Sequence, residues 1–166
     1  TIAFGQGLSV NAVQAASVFA TIANDGVRVQ PSLVAELVHA DGTVELPPAP
    51  KTTRVVSPSA AKQVRAMLES VVAEGGTAPM AAIPGYRVGG KTGTAQAFNE
   101  SCKCYIGVVA SFIGIAPADD PQLVVAVSIM NPYLSGGTKD IYAASMVLEP
   151  LAGLTPEGVL VPKLVT

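Results

Sequence analysis

Three apolar stretches, Tyr86 to Ala97, Val108 to Ile115 and Leu123 to Met130, constrain the fold of this 166-residue chain more than any other feature. They are separated by the polar run Asn99 to Lys103, which reads as a loop, and by Asp119-Asp120-Pro121, a turn signal. Together they predict a three-stranded antiparallel meander whose last two strands are apolar enough to be buried on both faces. A sheet of this kind needs cover, so one outer edge is expected to pair with strands that lie outside this chain.

Helices provide part of that cover. Asn11 and Gln14 have the spacing of a reciprocal cap, which predicts a helix from Ala12 to about Ala23. Its apolar face, Val13, Ala16, Ala20 and Ala23, suits a close core contact, and Gly26 supplies the left-handed stop. A second helix opens with Ser57 as cap and Pro58 in its first turn. It repeats apolar residues at Val64, Met67, Leu68, Val71 and Val72, and Gly75-Gly76 ends it. Between the helices, Val27 to Val29 and Val34 to Val38 read as short strands, and Asp41-Gly42 marks a hairpin between Leu37-Val38 and Val44 to Leu46. Leu46-Pro47-Pro48-Ala49-Pro50 is a stiff linker. A last helix is expected from near Thr138 to about Glu149, where Pro150 limits it. The fold class is α+β, with residues 1–166 read as one unit.

Only 13% of the residues are charged while 49% are hydrophobic, which leaves little polar surface for a self-contained domain. The chain also opens at Thr1 without an initiator Met or a signal segment, so it is expected to be a piece of a longer protein. A net charge of −2, with lysines and arginines scattered singly, gives no basic stripe and no nucleic-acid partner. The longest apolar runs fall far short of the roughly 20 residues a membrane span requires, so any anchor is expected outside this chain. Cys102 and Cys104, with His39 remote in sequence, do not make a zinc site. In an extended chain their Cα atoms would lie roughly 6.5 Å apart, so a bridge demands a tight bend. The segment is therefore read as a loop with two ordinary thiols; a local disulfide, a link elsewhere and a redox role are the alternatives.

The chemistry concentrates in Gly89-Gly90-Lys91-Thr92-Gly93-Thr94-Ala95-Gln96. Alternation on a strand places Lys91, Gly93 and Ala95 on one face and Thr92, Thr94 and Gln96 on the other. Two hydroxyls with a cation nearby and a glycine between them can bind a carboxylate, and the strand's N–H groups can meet an extended peptide or an oxyanion. A bare edge strand with a gatekeeping lysine is the structural alternative.

Lys-Thr-Gly is the third element of penicillin-binding proteins and serine β-lactamases, beside Ser-x-x-Lys and Ser-x-Asn. The chain resembles that superfamily over nearly its whole length. Phe4-Gly5-Gln6-Gly7-Leu8 with Gln14, Ile22 to Gly26, Gly75-Gly76-Thr77-Ala78, Gly90 to Gln96, Ser111 to Gly114 and Ala116-Pro117-Ala118 are similar to a class B penicillin-binding protein of the septal, cell-division type. The resemblance implies the C-terminal portion of a D,D-transpeptidase domain, acting on D-Ala-D-Ala stem peptides outside the cytoplasmic membrane and acylated by β-lactams, with no metal or organic cofactor. It also implies cell-division proteins as further partners. Carried over by residue, Lys91 sets the electrostatics of the site, Thr92 and Thr94 bind the carboxylate beside Gly93, and the N–H of Thr94 is an oxyanion donor.

Two further motifs compete for the serine roles. Ser9-Val10-Asn11 reads as Ser-x-Asn and Ser59-Ala60-Ala61-Lys62 as Ser-x-x-Lys, but the family places Ser-x-x-Lys first and well upstream. Asn11 is engaged as a helix cap, and Lys62 falls opposite Val64, Met67 and Leu68. The nucleophile is therefore expected before Thr1, and the isolated chain is expected to be inactive. A serine β-lactamase or D,D-carboxypeptidase, and a non-catalytic cell-wall or divisome binding module, are the rival readings.

Overall fold

A computed structural model describes residues 8–130. The helix expected from near Thr138 to about Glu149 and the resemblance residues Phe4 to Gly7 lie outside the described residues.

The first helix, α1 (Ala12–Ala23), starts as its sequence dictates: Gln14 N–H donates to Asn11 Oδ1 at 2.8 Å, and Asn11 N–H donates to Gln14 Oε1 at 2.9 Å. This satisfies two donors that the helix start would otherwise orphan. Beyond it, Asp25 and Gly26 both take positive φ, and Gly26 N–H closes on the Thr21 carbonyl. The expected core face of α1 is only partly buried, with Ala16 and Ala23 half-buried and Val13 and Ala20 exposed. Thr21 is its one buried residue, and Val13, Ala16 and Ala20 line an open apolar groove of about 860 Å³ facing Pro47 to Pro50 and Val124.

Strand β1 (Val27–Val29) pairs antiparallel with β4 (Thr52–Arg54), a strand without an apolar alternation to reveal it. The hairpin β2 (Leu37–Val38) and β3 (Val44–Glu45) forms around Asp41-Gly42 as expected, with Gly42 at φ +84°. The preceding residues do not extend β2 back to Val34, because Ser32 Oγ bonds both the N–H and the carbonyl of Val34. Such local bonds compete with a strand ladder.

Helix α2 (Pro58–Val72) begins with Ser57 Oγ accepting from Ala60 N–H. Arg65 on this helix ties α2 to α1, donating from one guanidinium nitrogen to the carbonyls of Ile22 and Ala23 at 2.9 and 3.2 Å and to Asp25 Oδ1 at 2.8 Å. A cation at a helix C-terminus meets the negative end of its dipole there. Met67, expected on the packed face, is 65% exposed.

The main sheet has the order β5 (Gly89–Asn99), β6 (Cys104–Ala116), β7 (Leu123–Met130), all antiparallel. β6, the central strand, is the buried one, with Ala110, Phe112, Gly114, Ile115 and Ala116 all inaccessible. Strand β7 is only half-buried, where the sequence reading expects burial on both faces. A core of Val72, Ala78, Ala81, Ile83, Val88, Phe112 and Ala116 joins α2 and a short 3-10 turn, Pro79–Ala81, to the sheet. α1 packs against β6 and β7, and α2 against β5.

The β5–β6 hairpin is longer than expected. Pairing resumes past an irregularity after Gln96, with Phe98 opposite Tyr105 and Asn99 opposite Cys104. The polar run read as a loop is thus only the hairpin tip. There Cys102 and Cys104 form a disulfide, which corrects the reading of two ordinary thiols. Lys103 between them has φ +52°, the bend that brings their Cα atoms to 5.2 Å, within disulfide range.

Candidate functional site

The Lys91 to Thr94 segment lies on β5, at one edge of the described sheet, so alternate N–H and C=O groups of the strand face away from β6. Its depth is set by the glycines before it. Gly89 runs against Leu68 of α2, and Gly90 lies under the ring of Phe112, which is fully buried. A side chain at Gly90 would collide with that ring, so this pair of glycines lets the strand lie close to the core and then emerge at Lys91.

Along the motif, Gly89 and Gly90 are buried, Thr92 and Gly93 half-buried, and Lys91 and Thr94 exposed. Lys91 Nζ folds back along the strand to donate to the Thr92 carbonyl at 2.9 Å. Among the described residues no carboxylate pairs with Lys91, so its charge is available to an anion. Beside Gly93 stands Ser111 of β6, whose Oγ donates a long bond of 3.4 Å to the Gly93 carbonyl. A Cβ at Gly93 would come within 2.6 Å of that hydroxyl.

Thr92 has a partner that the sequence reading did not assign. Thr77 Oγ1 lies 3.2 Å from Thr92 Oγ1. Thr77 sits in the Gly75-Gly76-Thr77-Ala78 run that follows α2, and that run was the only signal for it in the sequence. Below the motif, Arg87 clamps Glu69 in a two-pronged bond of 2.9 and 2.7 Å, with Asp119 at 3.8 Å. Glu69's hydrogen bonds and charge raise the pKa of Arg87 further above its already high ordinary value. The backbone of Arg87 also accepts from Ala118 N–H at 2.7 Å, tying the entry of β5 to the turn between β6 and β7.

Asn11 is locked in the helix cap, and Ser59 and Lys62 are exposed on α2, where Ser59 Oγ accepts from Gln63. No cluster of metal-ligating side chains exists among the described residues. No helix among them is long and apolar enough to cross a membrane.

An antiparallel sheet covered by helices carries, on its edge strand, the Lys-Thr-Gly element found in penicillin-binding proteins and serine β-lactamases. The comparisons agree with that class. Residues 1–151 match the penicillin binding protein transpeptidase domain, and the chain belongs to that family. It is 45% identical over 136 residues to the penicillin-binding protein PbpB of Mycolicibacterium smegmatis, covering 77% of this chain and 21% of that protein. With stage V sporulation protein D of Bacillus subtilis it shares 43% over 134 residues, 80% of this chain and 21% of that protein. Among solved structures, penicillin binding protein 3 of Mycobacterium tuberculosis complexed with aztreonam aligns with a TM-score of 0.77 and 37% identity, over 96% of this chain and 40% of the other. The chain thus spans about a fifth of the length of these curated relatives.

Proposed function

We propose that this chain is part of a peptidoglycan D,D-transpeptidase and forms one wall of its active site. The observation that carries the reading is Lys91-Thr92-Gly93-Thr94 on the edge strand β5, in a chain of the penicillin-binding transpeptidase family. A relative from Neisseria flavescens, 34% identical over 153 residues, is named as a probable peptidoglycan D,D-transpeptidase.

In this reading a serine outside the chain attacks the carbonyl of the penultimate D-Ala of a stem peptide. The C–N bond to the terminal D-Ala breaks, that D-Ala leaves as the free amine, and the serine is left acylated. An amine of a second stem peptide then attacks the ester, forming the cross-link and freeing the serine. Thr92 and Thr94 hydroxyls hold the terminal carboxylate, and the Lys91 ammonium provides the positive potential beside it. The Thr94 N–H is one donor to the developing oxyanion, where a single such donor contributes about 3–4 kcal/mol to the barrier. Gly93 keeps the edge open for the substrate backbone. A β-lactam fits the same wall, because it carries an acyl donor and an anion at similar spacing; the Mycobacterium tuberculosis structures hold aztreonam and ampicillin. This reading puts the reaction at the outer face of a bacterial membrane, with cell-division proteins as partners.

Labelling of the complete protein with fluorescent penicillin tests the reading. A stable labelled band is expected, weakened at least tenfold by Lys91→Ala, with none from the isolated chain. Labelling of the isolated chain that disappears in Ser59→Ala would move the nucleophile into α2 and overturn the assignment, and rapid turnover of the β-lactam would indicate a β-lactamase.

A further inference from the structure

We infer that Thr77 is a positioning residue for anion recognition: it donates a hydrogen bond to Thr92 Oγ1 and thereby aims the Thr92 hydroxyl at the substrate carboxylate. The inference rests on the proposed transpeptidase reading and adds a residue to it.

The first observation is the 3.2 Å contact between the two hydroxyl oxygens, where either could donate by distance alone. Function removes the ambiguity. A hydroxyl carries one hydrogen and two lone pairs, so a Thr92 that gives its hydrogen to a carboxylate can only accept from Thr77. Thr77 must then be the donor, and the residue itself is exposed to solvent. Successive hydroxyls in such a chain polarise one another, which strengthens the bond to the anion.

The second observation is that Thr77 stands on a backbone with little freedom. Gly76 N–H donates to the Ala73 carbonyl at 2.9 Å and Ala78 N–H to the Val71 carbonyl at 2.8 Å, so the residues on both sides of Thr77 are bonded back to the end of α2. Gly76 lies so close to the carbonyls of Ser70 and Val71 that no side chain fits there. Ala78 is fully buried in the core beneath, and it also accepts from Ala81 N–H. A β-branched side chain on this frame has few χ1 options, so Thr77 presents its hydroxyl from a fixed point. Thr92, half-buried on a strand edge, is held by that point before substrate arrives.

The test measures acylation of the complete transpeptidase by benzylpenicillin and by its methyl ester, which lacks the anion. Thr77→Val, which keeps the shape and removes the hydroxyl, is expected to slow acylation by the acid about 5- to 10-fold, the loss of one hydrogen bond. The ester should change less than twofold. Thr77→Ser should stay near wild type, and Thr77→Val added to Thr92→Val should cost nothing more. Equal slowing of acid and ester would make Thr77 a structural residue only, and an unchanged rate with the acid would also overturn the inference. Should wild type not be acylated at all, the transpeptidase reading fails, and the positioning claim is then decided by the Thr92 χ1 couplings in solution. A Thr92 rotamer distribution identical in wild type and Thr77→Val refutes it; a broadened one upholds it.

Discussion

Replacing Gly90 by Ala probes how the core sets the position of the Lys91 strand. A Cβ at this position would press on Cζ of Phe112, lie 2.9 Å from its Cε2, and come 3.0 Å from the Ile113 carbonyl. The ring has nowhere to retreat, because Phe112 is 0% exposed and packed among Val72, Ala78, Ala81, Ile83 and Val88. Inserting one carbon into a filled site of this kind costs about 1–3 kcal/mol. Against that, a glycine outside the left-handed region gains about 0.4–1 kcal/mol from a less flexible unfolded chain when it becomes alanine. The packing cost wins, leaving a net loss of about 1–2 kcal/mol. With a urea slope of about 1–3 kcal/mol per molar, the midpoint of unfolding should fall by roughly 1 M. Urea unfolding followed by circular dichroism reads this directly. Phe112→Leu shortens the colliding side chain, so Gly90→Ala combined with it should cost at least about 1 kcal/mol less than the sum of the two single changes. A Gly90→Ala protein as stable as wild type, or strict additivity in the pair, would refute the reasoning.

Arg65→Ala should destabilise by about 2 kcal/mol, since a cation 11% exposed loses three acceptors at the end of α1, whereas Asp25→Ala, removing a carboxylate 63% exposed, should cost well under 1 kcal/mol. Denaturation midpoints of the two variants check the contrast, and equal losses would reduce Arg65 to an ordinary surface pair. Asp41 accepts from the Thr43 hydroxyl at 2.7 Å and the Thr43 N–H at 3.0 Å, and these bonds hold its pKa below the ordinary carboxylate value, the side-chain bond being the larger cause. A depressed folded-state pKa stabilises at pH above the ordinary value and that stabilisation is lost as pH falls through the depressed one. The β2–β3 hairpin should therefore open more often below about pH 4, read as faster amide exchange at Thr43, and Asp41→Asn should abolish that pH dependence.

How much of this was legible in the sequence differs by element for physical reasons. Helix starts were readable because Asn11-x-x-Gln14 and Ser57-Pro58 carry their own satisfaction of orphan N–H groups. Strand β7 was found at its full extent from its apolar run, yet its burial was overestimated, since burial depends on which strand ends up central. Strand β4 was missed because Thr52, Thr53 and Arg54 are all exposed and carry no period. The hairpin tip and its disulfide were misread because the bend at Lys103 is a backbone conformation that residue type does not announce. Met67 looked like a packed residue by spacing and stands in solvent.

At the site, the order of Lys91, Thr92, Gly93 and Thr94 sets which groups an edge strand can offer, and the order of motifs along the chain argues against Ser59 and Ser9 as nucleophiles. Such information is local, carried by residue type and spacing. What surrounds those groups comes from the three-dimensional fold. Gly90 under Phe112, Ser111 beside Gly93 and Thr77 against Thr92 join residues that are 22, 18 and 15 positions apart, and no periodicity links them. Contacts across a sheet or between a helix end and a strand are fixed by register and packing, which the whole fold sets at once.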